Sequence, residues 1–84
     1  MIEVISHRGY WKTPEERNAP VAFERSFSLG FGTETDVRDC VRDGVSELVI
    51  SHDIPRGGEF AFADMLRLAR VIREGTWRVV ADVA

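Results

Sequence analysis

Residues 33–53 read TETDVRDCVRDGVSELVISHD, and the way this stretch folds back on itself decides the architecture. Its first part alternates. Side chains along a strand point to opposite faces with period two, so Glu34 and Asp36 share one face while Thr33, Thr35 and Val37 take the other. The Asp43-Gly44 pair is a hairpin signal. Between Asp36 and His52 lie fifteen residues with no helical pattern, too few for a parallel crossover, so the segment is expected to be an antiparallel ribbon. With the turn centred on Gly44, Asp36 and His52 are equally far from it and stand opposite each other. A slip of one residue would send the histidine to the other face.

Outward from the ribbon, its closing tetrapeptide VISH occurs earlier as well, at residues 4–7. Residues 2–6, IEVIS, form a β-branched stretch ended by Gly9 and predict a first strand. The segment from Gly9 to Arg17 holds Pro14 and dense charge, and reads as loop. Next, NAPVAFERSFSLG has helix punctuation: Asn18 as N-cap, Pro20 in the first turn and Gly30 as the left-handed stop. Ala22, Phe23, Ser26, Phe27 and Leu29 share one face, which predicts a helix packed on a sheet. IPRGGEF is a second loop, with Pro55 and Gly57-Gly58. FADMLRLARVIREG predicts a second helix: Phe62, Met65, Leu66, Ala69 and Ile72 make its apolar stripe, Arg67, Arg70 and Arg73 its polar one, and Gly75 its stop. WRVVADVA then reads as a last strand. The order strand, helix, strand with ribbon, helix, strand places the chain in the α/β class.

Composition narrows the function classes. With 44% apolar and 30% charged residues, the 84-residue chain has the make-up of a folded domain and not of a disordered segment. A net charge of −3 lacks the basic face that nucleic-acid binding needs. The single cysteine, Cys40, has no disulfide partner within the chain, which suits a reducing, cytoplasmic setting. No run approaches the roughly 18 apolar residues of a membrane span, and the N-terminus lacks the layout of a signal peptide.

The residues with chemistry gather at strand ends, where α/β folds place their sites. His7 and Arg8 follow the first strand, Glu34 and Asp36 lie on the second, and His52 and Asp53 end the ribbon. Two carboxylates on one face repel unless a cation compensates, and hard oxygen donors favour Mg²⁺ or Ca²⁺. A zinc site from His7, His52, Asp36 and Cys40 lacks any close ligand spacing. A cation beside Arg8 suits an anionic phosphoryl group, and histidine, whose ordinary titration falls near neutrality, suits a general base or acid. The reaction class is phosphodiester cleavage.

HRGYWKTPEERNAPVAFERSFSLGFGTETDVRD followed by LVISHD resembles the N-terminal part of the glycerophosphodiester phosphodiesterase family, whose ordered signature is H-R-G, a P-E-N-like loop, A-F, G, E-x-D-V, D-G and H-D. The resemblance covers nearly all of the chain to Pro55. It implies part of a TIM (β/α)₈ barrel and a divalent-cation-dependent enzyme that cleaves a glycerophosphodiester to glycerol 3-phosphate and an alcohol. It also implies that His7 and His52 are the catalytic pair, that Glu34 and Asp36 are metal ligands, and that Arg8 contacts the phosphate. One histidine would deprotonate the attacking glycerol hydroxyl while the other protonates the leaving alcohol. The loop reads PEERN, in which Pro14 and Asn18 match and either Glu15 or Glu16 takes the glutamate's place. The family draws a third acidic ligand from a later strand, and Asp82 stands there.

Three other readings compete. A complete barrel needs about 250 residues, so 84 residues amount to its first units. That leaves the alternative of an inactive fragment that binds a partner, or itself, through open sheet edges. Glu34 and Asp36 could also serve as a surface network with Arg8, Arg38 or Arg42. Trp11 is expected to cover the neighbouring sheet edge in preference to acting as a lid over substrate.

Overall fold

The computed structural model describes residues 3–72 and 79–83; for residues 42 and 81–83 only the backbone is described. It is a compact α/β domain with one mixed four-stranded sheet and two helices. Strand β1 (Ile5–His7) leads through a single 3₁₀ turn (Pro14–Glu16) to helix α1 (Pro20–Ser28). Strand β2 (Gly32–Arg42) and strand β3 (Val45–Ile50) form the ribbon, helix α2 (Phe62–Ile72) follows, and strand β4 (Val79–Val83) closes the order. The expected succession of elements is the observed one. Ile2, Arg73, Gly75 and Trp77, to which the sequence reading also assigned places, lie outside the described residues.

The long strand β2 organises the sheet. Its first half pairs in parallel with β1 on one edge (Ile5↔Gly32, Ser6↔Thr33, His7↔Glu34). Along the other edge it pairs in parallel with β4, from Thr33↔Val79 to Val37↔Val83. Its second half pairs antiparallel with β3, which therefore continues the edge that β1 begins.

The ribbon register corrects the sequence reading. Arg42 pairs with Val45 and Val37 with Ile50, so the turn is centred between Asp43 and Gly44 and not on Gly44. Both turn residues take positive φ, 51° and 78°, as a two-residue hairpin matched to the twist of its strands demands. A turn centred on Gly44 would need a three-residue loop. The consequence is that Asp36 stands opposite Ser51, whose amide donates to the Asp36 carbonyl at 3.1 Å. His52 lies past the end of β3 and does not face Asp36.

Both helices cover the same face of the sheet. Thr33, Thr35 and Val37 are buried beneath them, as the alternation predicted. Phe23 and Phe27 of α1 pack with Met65 and Ala69 of α2 and with Ile50, and Phe60, Phe62 and Leu66 close around them. Each buried phenylalanine contributes about 1.5–3 kcal/mol of burial free energy. Leu29, expected on this face, is 57% exposed instead: it is the C-cap, where the backbone turns out of helical register before Gly30. Gly30 has φ 81° and ends the helix as predicted.

The start of α1 departs from expectation. Ala19, not Asn18, is the N-cap, and no side chain caps the helix. Asn18 has φ 61° and its side chain is drawn across to the sheet, where two polar partners hold it. At the end of β3, the Ile50 amide donates to the Phe60 carbonyl and Val49 bridges Ala61, so the second loop returns to cover the strand edge.

Candidate functional site

The Ser6 hydroxyl decides which way the histidine of β1 points. It meets the hydroxyls of Ser26 at 2.8 Å and Thr33 at 3.0 Å, on the helix side of the sheet. His7, one residue on, takes the opposite, uncovered face. Because His7 is the register partner of Glu34, the two share that face, and Nε2 lies 4.0 Å from the Glu34 carboxylate. Asp36 follows two residues along. Two motifs distant in sequence thus meet through the parallel β1–β2 pairing.

Between them the chain makes a sharp turn. Arg8 has φ 61° and Gly9 φ 80°. The Arg8 amide donates to the Glu34 carbonyl at 2.6 Å, its carbonyl accepts from the Asn18 amide at 2.9 Å, and the Gly9 amide donates to the Thr33 hydroxyl at 3.0 Å. Gly9 also lies against α1: a Cβ there would sit 2.7 Å from the Ala22 Cβ and 2.8 Å from its carbonyl carbon. Only glycine meets both demands.

The Arg8 side chain crosses to Asp36, with Nε 3.0 Å from Oδ2. Both side chains are 18% exposed. The contact is an ion pair, but it is not an aligned hydrogen bond: Nε is buried without one. Asn18 donates from Nδ2 to the same Oδ2 at 3.0 Å, while its Oδ1 accepts from the Thr35 hydroxyl at 3.0 Å. Asn18 is the residue whose role the helix-punctuation reading missed. Asp36 is therefore compensated by Arg8, one of the pairings that the network reading allowed, and Glu34 lies 4.0 Å from His7.

His52 is held separately. Its carbonyl accepts from Arg38 Nη2 at 3.0 Å, its ring Nδ1 lies 3.4 Å from the Asp53 carboxylate, and the Ser51 hydroxyl closes the bend on the Asp53 carbonyl at 2.7 Å. A cleft of about 520 Å³ opens here, and its lining includes the cations Arg8 and Arg17, the carboxylates Asp53 and Glu59, and Asn18 and His52. Arg8 and His52 share this cleft. His7, Glu34 and Asp36 are not among its lining residues.

The loop between β1 and α1 is braced apart from the chemistry. Glu16 takes Arg25 in a forked pair at 2.7 and 3.3 Å and accepts from the Lys12 amide at 2.9 Å. The hydrogen bond from Arg25 and then that from Lys12 pull the Glu16 carboxyl down to about 2, and the same pairing raises Arg25. Glu15 is exposed. Trp11 donates from Nε1 to the His7 carbonyl at 3.0 Å, with the Arg17 guanidinium 5.4 Å above its ring. It thus lies at the end of β1 and is itself exposed.

Glu34 and Asp36 offer hard oxygen donors from one face, the type that Mg²⁺ and Ca²⁺ prefer. Oδ1 of Asp36 carries no hydrogen bond among the described residues. Backbone register places Asp82 beside Asp36, and its side chain lies outside the description. Among the described residues no group of three or more His, Cys, Asp or Glu side chains forms a metal site. Glu34 and Asp36 would be the residues to hold such a cation, and Oδ2 of Asp36 is already taken by Arg8 and Asn18.

Comparisons with protein-family models, with curated proteins and with solved structures found no match to this chain. No described helix is long and apolar enough to cross a membrane.

Proposed function

We propose that this chain carries the active-site rim of a phosphodiesterase that cleaves glycerophosphodiesters to glycerol 3-phosphate and an alcohol, and that its fold is the opening part of a TIM barrel of the glycerophosphodiester phosphodiesterase type. The observation that carries the reading is the His7↔Glu34 register, which puts the imidazole, two carboxylates and the adjacent Arg8 at one strand end. The motif order of the sequence supports it independently. The barrel assignment is supported by β1, β2 and β4, which are parallel neighbours in sequence order with a helix between each pair.

In this reading, Glu34, Asp36 and Asp82 would hold a divalent cation, Mg²⁺ or Ca²⁺, which when bound would supply charge stabilisation to the phosphoryl oxygens. Arg8 binds and orients the phosphate from the cleft wall. One imidazole of the His7 and His52 pair takes the proton of the glycerol 2-hydroxyl as its oxygen attacks phosphorus. The other gives a proton to the departing alcohol oxygen as its bond to phosphorus breaks. Water then opens the cyclic diester to glycerol 3-phosphate. Release of glycerol 3-phosphate from glycerophosphocholine by the wild type, lost by at least about a hundredfold in His7→Ala and His52→Ala, is the expected result. Undiminished turnover in either variant overturns that residue's role.

A second reading is an inactive piece that associates with another copy through its sheet edges, in the same reducing cytoplasmic setting. Val41 and Val45 on the ribbon, 71% and 66% exposed, favour it. Concentration-dependent sedimentation with no effect of Mg²⁺ on the melting temperature supports this reading, whereas stabilisation by Mg²⁺ opposes it.

A further inference from the structure

We propose that the outer edge of β1 is where this chain pairs with a second copy of itself, antiparallel about a two-fold axis at Ile5. The inference rests on the self-association reading above and names the edge that carries it. The Gly32 amide donates to the Val4 carbonyl at 3.0 Å and the Arg8 amide to the Glu34 carbonyl at 2.6 Å, so the even-numbered residues of this segment bond to β2. Ile5 and His7 therefore turn their N–H and C=O groups outward. Among the described residues no strand pairs with that edge. Trp11 takes the His7 carbonyl, which leaves Ile5 at the centre of what a second strand can reach.

The flank above this edge is apolar. Helix α1 stands over β1, with Ser26 against Ser6 and Ala22 against Gly9. Phe23 and Phe27 turn toward α2, and at 3.6 residues per turn Val21 and Leu29 fall on the side away from them, above the open edge. Tyr10, stacked on Phe31 at 6.3 Å, bonds through its amide to the Ala22 carbonyl and extends the same flank. Val4, Ile5, Tyr10, Val21 and Leu29 are each 40–57% exposed. A two-fold axis perpendicular to the sheet keeps the helices of both copies on one side, so these flanks meet as the strands pair. Such an axis sets one residue opposite its own copy, since a slip of one would oppose side chains of different faces. About Ile5, Val4 stands opposite Ser6 and Glu3 opposite His7, a carboxylate acceptor against an imidazole donor. The edge of β2 past Val37, where pairing with β4 is described to end, lacks this match. About Cys40 it sets Arg38 against Arg42, and about Val41 it sets Asp39 against Asp43. Charges of this kind blunt an edge, and residues 4–6 carry none.

Sedimentation of the whole chain between about 10 μM and about 1 mM reads the association. The wild type is expected to form a reversible dimer in that range. Ile5→Lys sets two ammonium groups against each other and is expected to weaken the dimer by at least about tenfold. Val41→Lys, on the ribbon, is expected to leave it within about twofold. Crosslinking reads the register without depending on how Ile5→Lys folds. Opposed residues of a hydrogen-bonded antiparallel pair have Cα atoms about 5.5 Å apart, within disulfide reach. In a Cys40→Ser background, Ile5→Cys is therefore expected to give a disulfide-linked dimer under mild oxidation, and Val41→Cys to stay monomeric. Crosslinking through Ile5→Cys that is no faster than through Val41→Cys overturns the proposed register. A dimer that persists in Ile5→Lys and dissociates in Val41→Lys overturns the β1 edge and leaves self-association to the ribbon. A wild type that is monomeric throughout the range sinks both the β1 pairing and the self-association reading.

Discussion

The Ser51 amide donates to the Asp36 carbonyl, and this one bond sets where His52 goes. It is the rung at which the ribbon ends, so His52 lies beyond the ladder on a bend held by Arg38 and Asp53. His7, by contrast, is fixed within the sheet. The two histidines thus depend on different supports. Arg38→Ala removes the tether on the His52 carbonyl and is expected to loosen residues 51–53 without disturbing His7. Amide exchange read residue by residue checks this; equal protection at Ser51 and His52 in both proteins would contradict it.

Gly9 and Gly44 separate two costs of a side chain. Both have positive φ, but Gly44 has open space around it while Gly9 lies against Ala22 and the Phe23 amide. Gly44→Ala is expected to cost about 1 kcal/mol from backbone conformation alone. Gly9→Ala should exceed it by about 1–3 kcal/mol, because α1 or the Arg8 turn has to shift. Urea midpoints of the two variants give the comparison, and equal midpoints would show that the close approach is absent.

The core makes a similar demand. Phe23 is fully buried and stacks on both Phe27 and Phe60, at centroid distances of 6.4 and 6.3 Å. Phe23→Ala is expected to cost about 3–5 kcal/mol, enough to unfold most molecules of so small a domain. Retention of a cooperative thermal transition near that of the wild type would contradict the packing.

Asn18 joins the loop to the sheet by two side-chain bonds. Asn18→Ala leaves the Thr35 hydroxyl and Asp36 each short of a partner and is expected to cost about 1–3 kcal/mol. Asn18→Asp keeps the shape but sets a second carboxylate against Asp36, so it should be the worse of the two at pH 7. Lowering the pH should narrow that gap. A gap that widens toward acid would refute the contact with Asp36.

The Glu16–Arg25 pair gives a pH dependence with a definite sign. Its carboxyl titrates at about 2 when folded, against an ordinary value of 4.5. The unfolded chain therefore takes up the proton first as pH falls. The contribution is complete above about pH 4.5 and is lost as pH drops through about 2. Wild type should hold an advantage over Glu16→Gln at pH 6 that shrinks steadily in acid, measured by urea unfolding. A constant advantage across that range would rule the pair out as its cause.

The elements themselves were legible in the sequence because each has a local cause. The alternation from Thr33 to Val37, the phenylalanines of α1 and the left-handed Gly30 act over a few residues and leave a pattern. The ribbon's register was not legible: Asp43-Gly44 announces a turn, yet its loop length depends on twist shared with both strands. Asn18 misled for the opposite reason. It has the chemistry of an N-cap, but Asp36 and Thr35, far along the chain, claim its side chain first. His7 was named from its place at a strand end and Glu34 from the alternation of its strand, while the register that joins them is a property of the sheet.

The central claim is that His7, Arg8, Glu34, Asp36 and His52 serve one cation and one phosphate. Titration of the isotopically labelled chain with MgCl₂ and glycerol 3-phosphate, followed by amide and imidazole resonances, tests it most directly. The expected result is saturable shifts centred on these five residues, with both imidazoles responding at the same ligand concentration. Shifts at only one of the two imidazoles, or none at Glu34 and Asp36, would contradict the account.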